Sequence, residues 1–213
     1  MSDNALPDAA APNSEEPKVV RHRMKPGQRR EQILQTLAGM LEQPGSERIT
    51  TALLASKLDV SEAALYRHFA SKAQMFEGLI DFIEHSVFGL VNQIAEREGD
   101  GATKAARMVT VLLQFGEKNP GMARVMVGDA LVFENERLHQ RMNQLFERIE
   151  SALRQVLRVA ADANKSATPT ADAQVRAAVL MAFALGQLQR FTRSGFKRSP
   201  LDHLEASLAL MCR

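Results

Sequence analysis

From residue 27 onward, apolar residues recur three and four positions apart, and no stretch alternates with the period of two that a half-buried strand needs. The expected fold class is therefore all-α. Ile33, Leu34, Leu37 and Leu41 mark a first helix over 27–43, ended by Pro44-Gly45. Leu54, Ala55 and Leu58 mark a short second helix that Thr50 or Thr51 can cap. Asp59-Val60 makes a tight turn, Ser61 caps a third helix, and Leu65 and Phe69 point inward from it. Ser71 caps a fourth helix reaching about Arg97, with Met75, Leu79, Phe82, Ile83, Val87 and Val91 at helical spacing. A fifth helix over about 102–117 buries Met108, Leu112 and Phe115, and Asn119-Pro120-Gly121 turns into a short helix over 121–128. Leu138, Met142, Leu145, Ile149, Leu153 and Val156 predict a long helix over 130–161 with a stripe like that of a coiled coil. An Ala-rich helix follows over 171–194, and Ser199-Pro200 starts a last one over 200–212.

Composition and charge change this picture at the start of the chain. Residues 1–26 read as a disordered leader, with Pro7, Pro12 and Pro17 and no apolar period. Asp3, Asp8, Glu15 and Glu16 make its first part acidic, and Lys18, Arg21, Arg23 and Lys25 make its end basic, continuing into Arg29 and Arg30. Such an arm can lie along a DNA backbone or simply be solvated. Residues 18–72 carry ten Lys/Arg against five Asp/Glu, so the positive excess sits on the first helices. The leader lacks the charge and apolar pattern of a secretory signal, and no apolar run is long enough to span a bilayer. The lone Cys212 excludes an internal disulfide and suits a reducing compartment, so a cytoplasmic location is expected.

The pair of short helices over 50–69 has the form of a helix-turn-helix, whose second helix enters a DNA major groove. Its outward set starts with small residues and becomes polar or basic further along. The residues expected on DNA are Thr50, Thr51, Ser61, Glu62, Ala63, Ala64, Tyr66, Arg67, His68 and Lys72. The Ala-rich helix offers small residues (Ala177, Ala178, Ala182, Ala184, Gly186) that let another helix pack close, and Leu180, Phe183, Leu188 and Phe191 add apolar area. A homodimer through Ala178, Ala182, Phe183 and Gly186 is expected, because two-fold symmetry doubles the few base contacts of one motif on a palindromic site. No nucleophile elbow, phosphate-binding glycine loop, H-E-x-x-H or C-x-x-C occurs, and His22, His68, His85, His139 and His203 are scattered. No enzyme activity, cofactor or metal is expected.

The run Leu65-Tyr66-Arg67-His68-Phe69 followed by Ser71-Lys72 resembles the DNA-binding signature of the TetR family of regulators. Further stretches, over 49–51, 60–69, 115–121, 130–134, 141–147, 153–158 and 190–197, are similar to the nucleoid occlusion branch of that family, the likeness covering roughly 28–200. The resemblance implies an N-terminal three-helix domain with the helix-turn-helix over 27–87 and a C-terminal helical dimerisation and partner-binding domain over 88–213. It also implies double-stranded DNA as a partner at palindromic chromosomal sites, with more than one dimer per site among the options. When bound there, such proteins capture the C-terminal tail of the division GTPase FtsZ and stop the division ring forming over the nucleoid. The branch's tail groove lies between the fourth and fifth helices, at positions matched here by Phe82, Lys118 and Asn119. An aromatic suits an apolar tail, a cation its acidic residues, and an amide its backbone. One basic position of the branch is Leu90 here. The alternative is a ligand-responsive TetR-type repressor, which needs a large cavity with a few polar groups.

Overall fold

A computed structural model describes residues 27–43, 49–97 and 99–212; the leader with its basic end and the Pro44-Gly45 turn lie outside the described residues. Every regular element among the described residues is helical: α1 Gln28–Leu41, α2 Thr51–Lys57, α3 Glu62–Tyr66, α4 Lys72–Glu96, α5 Gly101–Lys118, α6 Pro120–Met126, α7 Glu136–Ala163, α8 Pro169–Arg193 and α9 Leu204–Met211, with a 3-10 turn over Asp129–Leu131 before α7.

Polar side chains set where several of these helices begin. Thr50, Ser61 and Ser71 accept hydrogen bonds from the backbone N–H groups of Leu53, Ala64 and Gln74, at 3.2, 3.3 and 3.2 Å. Each satisfies one of the donors that a helix start leaves unpaired. Asp100 does the same for α5, accepting from the Thr103 N–H at 2.9 Å. That bond is the main reason its carboxyl stays below the ordinary carboxylate value.

Two expected helices start later than their apolar spacing predicts. The long helix begins at Glu136 rather than 130, because Gly128 takes the left-handed conformation (φ 86°), a 3-10 turn follows, and Asn135 caps the new helix. The last helix begins at Leu204 rather than 200, because His203 sits in the left-handed region at φ 58° and the preceding residues turn.

α1, α2 and α3 close around Ile33, Leu37, Leu54, Leu65 and Phe69, all buried. α4 runs unbroken past the expected boundary at 87/88, so one rigid rod carries both the end of the DNA-binding motif and one wall of the C-terminal bundle. There α7 packs chiefly on α8 and is flanked by α5 and α4. The whole stripe from Leu138 to Val156 is buried within this chain. Its coiled-coil-like spacing therefore makes an internal seam.

Charged residues form a second seam between α4 and the start of α7. Lys72 pairs with Glu134 at 2.5 Å, Arg137 with Glu77, and Arg141 with both Asp81 (2.5 Å) and Glu84 (2.7 Å). The hydrogen bond to Glu84, joined by that to Asp81, pushes the Arg141 guanidinium still further above its ordinary value.

α1 also docks on α6, and Gly121 makes that approach possible: a Cβ there would lie 2.2 Å from the backbone oxygen of Ala38. A backbone atom cannot swing aside. Gly121→Ala is therefore expected to force α1 and α6 apart and to cost about 1–3 kcal/mol of stability. A urea titration checks this: the midpoint should fall, and a wild-type midpoint would show that the two helices separate freely.

Candidate DNA-binding surface and partner groove

The turn between α2 and α3 places the second helix of the motif outward. Asp59 holds a left-handed φ of 52°, which a short polar side chain tolerates, and Val60 packs half-buried at the junction. Leu65 and Phe69 anchor the inner side of α3, both 1 % exposed, and leave Ser61, Glu62, Ala63, Tyr66, Arg67 and His68 exposed. Ala64 is half-buried. The helix is short: Arg67 and His68 lie in the turn beyond Tyr66, not on a regular helical face. Buried Phe69 draws the chain inward directly after them.

Three of the expected residues hold one another. The Thr51 hydroxyl donates to Glu62 at 2.5 Å, and the Tyr66 hydroxyl donates to Thr51 at 3.5 Å. This small network ties the start of α2 to the exposed side of α3, fixing the Tyr66 ring where it stands outward.

Arg30 has a structural part that spacing did not reveal. Its guanidinium lies 4.0 Å over the Phe69 ring and donates to the His68 carbonyl at 2.9 Å. It therefore clamps the end of the recognition segment from α1. An aromatic that is buried at the motif's end, with an arginine on an adjoining helix, was the available signal, but the partner lies 38 residues away. Arg29, Arg67 and His68 line an open polar crevice between α1 and α3.

Lys72 stands at the first position of α4, as expected, but its ammonium is drawn to Glu134 and lies 5.7 Å over the Phe76 ring. To reach a phosphate it must give up the carboxylate.

On the far side of α4, Phe82 is 49 % exposed, so it belongs to the surface rather than the core. Its ring sits 6.1 Å from that of buried Phe115 on α5. Lys118 is exposed at the last turn of α5. The Asn119 amide donates to the Phe115 carbonyl at 2.8 Å, closing the end of α5 and leaving its side-chain oxygen without a described donor. The structure thus brings Phe82, Phe115, Lys118 and Asn119 to the same end of the α4/α5 pair. Leu90, further along α4, is 41 % exposed.

The Ala-rich helix α8 divides its small residues between two faces. Ala177, Leu180, Ala184, Leu188 and Phe191 are buried in the chain's own core, contrary to the expectation that they serve a subunit contact. Their helical spacing could not tell the inner face from the outer one. Phe183 is half-buried and packs on the core. Ala178 and Ala182 are exposed, and nothing lies within 4 Å of a Cβ placed on Gly186. Val175 and Val179, 63 % and 47 % exposed, extend the same outer strip; sequence reasoning passed over them.

Comparison with known proteins follows the two halves of the chain. A family model described as "Bacterial regulatory proteins, tetR family" matches residues 33–79, and one described as SlmA-like, "Tetracyclin repressor-like, C-terminal domain", matches residues 100–213. A Vibrio cholerae protein named nucleoid occlusion factor SlmA is 50 % identical over 184 residues, 86 % of this chain and 93 % of its own length. One of the same name from Salmonella typhi is 51 % identical over 184 residues, 86 % of this chain and 92 % of its own length. Among solved structures, the TetR-family regulator PfmR of Thermus thermophilus superposes with a TM-score of 0.70 at 20 % identity, covering 86 % of this chain and 95 % of that one. The Bacillus subtilis regulator FadR, solved with stearoyl-CoA, gives 0.67 at 13 % identity, over 85 % of this chain and 97 % of that one. These two show a shared fold.

Proposed function

The chain belongs to the SlmA nucleoid occlusion factors of the TetR family, and on that premise we propose that it is a homodimer that binds palindromic chromosomal DNA and, once bound, captures the C-terminal tail of FtsZ. Captured FtsZ does not build a division ring over the nucleoid. DNA contacts come from Thr50, Thr51, Ser61 to Ala64, Tyr66, Arg67, His68 and Lys72. The tail lies in the α4/α5 groove, with its apolar part on Phe82, its acidic part at Lys118 and its backbone at Asn119.

The observation that carries this reading is the outward Phe82, packed against Phe115 one turn before the exposed Lys118. An exposed aromatic and an exposed cation at the same end of a helix pair fit an amphipathic acidic peptide.

The direct experiment is a pull-down of purified chain with an FtsZ C-terminal peptide, in the presence and absence of operator DNA. Retention of the peptide on the DNA-bound protein is expected. Release of DNA by a small molecule, with no peptide retained, would favour a conventional repressor.

The DNA side has its own test. Lys72→Ala removes one cation from the phosphate backbone, so affinity should fall on operator and non-operator DNA alike. The slope of log affinity against log salt should flatten by about one. Titrations at several salt concentrations read both quantities. An unchanged slope would leave Lys72 as the partner of Glu134 alone.

A further inference from the structure

We infer that the α4/α5 groove has a second cationic end, formed by Arg97 and Arg107, which receives acidic residues of the same bound peptide. The inference rests on the tail-binding reading above and says where the charge missing at Leu90 has gone.

Beyond Leu90, a cleft of about 290 Å³ opens between α4 and α5. Leu90 and Ile94 line it from α4 and Val111 from α5, giving it an apolar strip beside the polar Gln93 and Thr110. Arg97 and Arg107 stand at its edge from opposite sides, one at the end of α4 and the other early in α5. Both are exposed, and neither makes an ion pair among the described residues. The cations at the seam between α4 and the start of α7 differ. Lys72, Arg137 and Arg141 are all paired with carboxylates across their seam.

The cleft is continuous in sequence with the Phe82 end. Phe82 and Leu90 lie two helical turns apart on α4, and Val111 precedes Phe115 by one turn on α5. Lys118 and Arg107 share α5, eleven residues or about 16 Å apart at 1.5 Å per residue. An extended peptide covers that distance in about five residues. The geometry therefore fits a peptide with an apolar middle, one acidic group at Lys118, and another about five residues away at the arginine pair. Two guanidinium groups lining one cleft hold a carboxylate more tightly than a single exposed cation, because each donates in a fork. Leu90 then serves as apolar wall, and its lack of charge is offset by its neighbours.

The test uses the full chain, operator DNA and a synthetic peptide of the FtsZ C-terminal tail, with affinity read by fluorescence anisotropy. Arg97→Glu with Arg107→Glu should weaken binding tenfold or more and reduce its salt dependence. The neutral pair Arg97→Gln with Arg107→Gln should weaken it less, and guards against a folding defect in the charge-reversed protein. Adding Leu90→Arg to the neutral pair should restore part of the loss, since the exposed position returns a cation to the same cleft. Operator affinity should not change in any of these variants. If the peptide binds the unmodified chain and fails on Lys118→Asp, yet binds both arginine pairs as well as the original, the second cationic end is wrong and the tail groove stands. If the unmodified chain binds no tail peptide at all, the tail-binding reading fails and this inference falls with it.

Discussion

Lys118→Asp should leave the protein dimeric and bound to its operator while removing its hold on the FtsZ tail. The side chain is exposed at the last turn of α5, so no core contact is lost. Reversing its sign turns an attraction for an acidic peptide into a repulsion. Such a like-charge contact costs about 2 kcal/mol or more, roughly thirtyfold in affinity. Asp at a helix C-terminus also meets the negative end of the helix dipole, which should lower stability by only about 0.3–1 kcal/mol. A denaturation curve separates the two effects. In cells, the variant should bind chromosomal sites yet fail to block division over the nucleoid. Tail affinity equal to that of the original protein would remove Lys118 from the groove.

Ala182→Arg should split the dimer. Ala182 lies on the outer strip of α8 with Ala178, Val175 and Val179, and Gly186 faces open space one turn further on. Small residues there let a second helix approach closely, and an arginine supplies both excess volume and an unpaired charge at the contact. The subunit itself should stay folded, because the side chain points away from its core. Light scattering should therefore report a monomer at micromolar concentration with unchanged helix content. Operator affinity should fall by about two orders of magnitude or more, since each half-site is then held by one short recognition helix. A variant that remains dimeric would move the subunit contact off α8.

How far the sequence foretold this structure depends on the kind of signal. Local signals were dependable. Thr50, Ser61 and Ser71 cap the helices they precede, and Leu65 and Phe69 face inward, because capping and helical period act over a few residues. The start of the long helix was misplaced because apolar residues at Ala130 and Leu131 fit its period while Gly128 and Asn135 set the true boundary. The division of α8 into inner and outer faces was beyond reach, since Ala177 and Ala178 look alike until packing separates them. The same holds for Arg30 and Lys72, whose partners His68 and Glu134 are brought near only by the tertiary fold. In the groove, Phe82 was equally readable as core or surface by spacing; its exposure decides for the surface. That Arg97 and Arg107 line one cleft depends on how α4 and α5 lie against each other, which no short-range pattern encodes.

DNA occupancy and tail capture should belong to one protein and be coupled. DNA can act as a switch only if it favours an arrangement that binds the tail more tightly, and the coupling must be reciprocal. The most direct measurement is the affinity of the purified, unmodified chain for the FtsZ tail peptide, taken with and without saturating operator DNA. Measurable binding that tightens several-fold on the operator is expected, with operator affinity rising by the same factor when peptide is saturating. Absence of tail binding in both conditions, together with release of the operator by a small molecule, would contradict it.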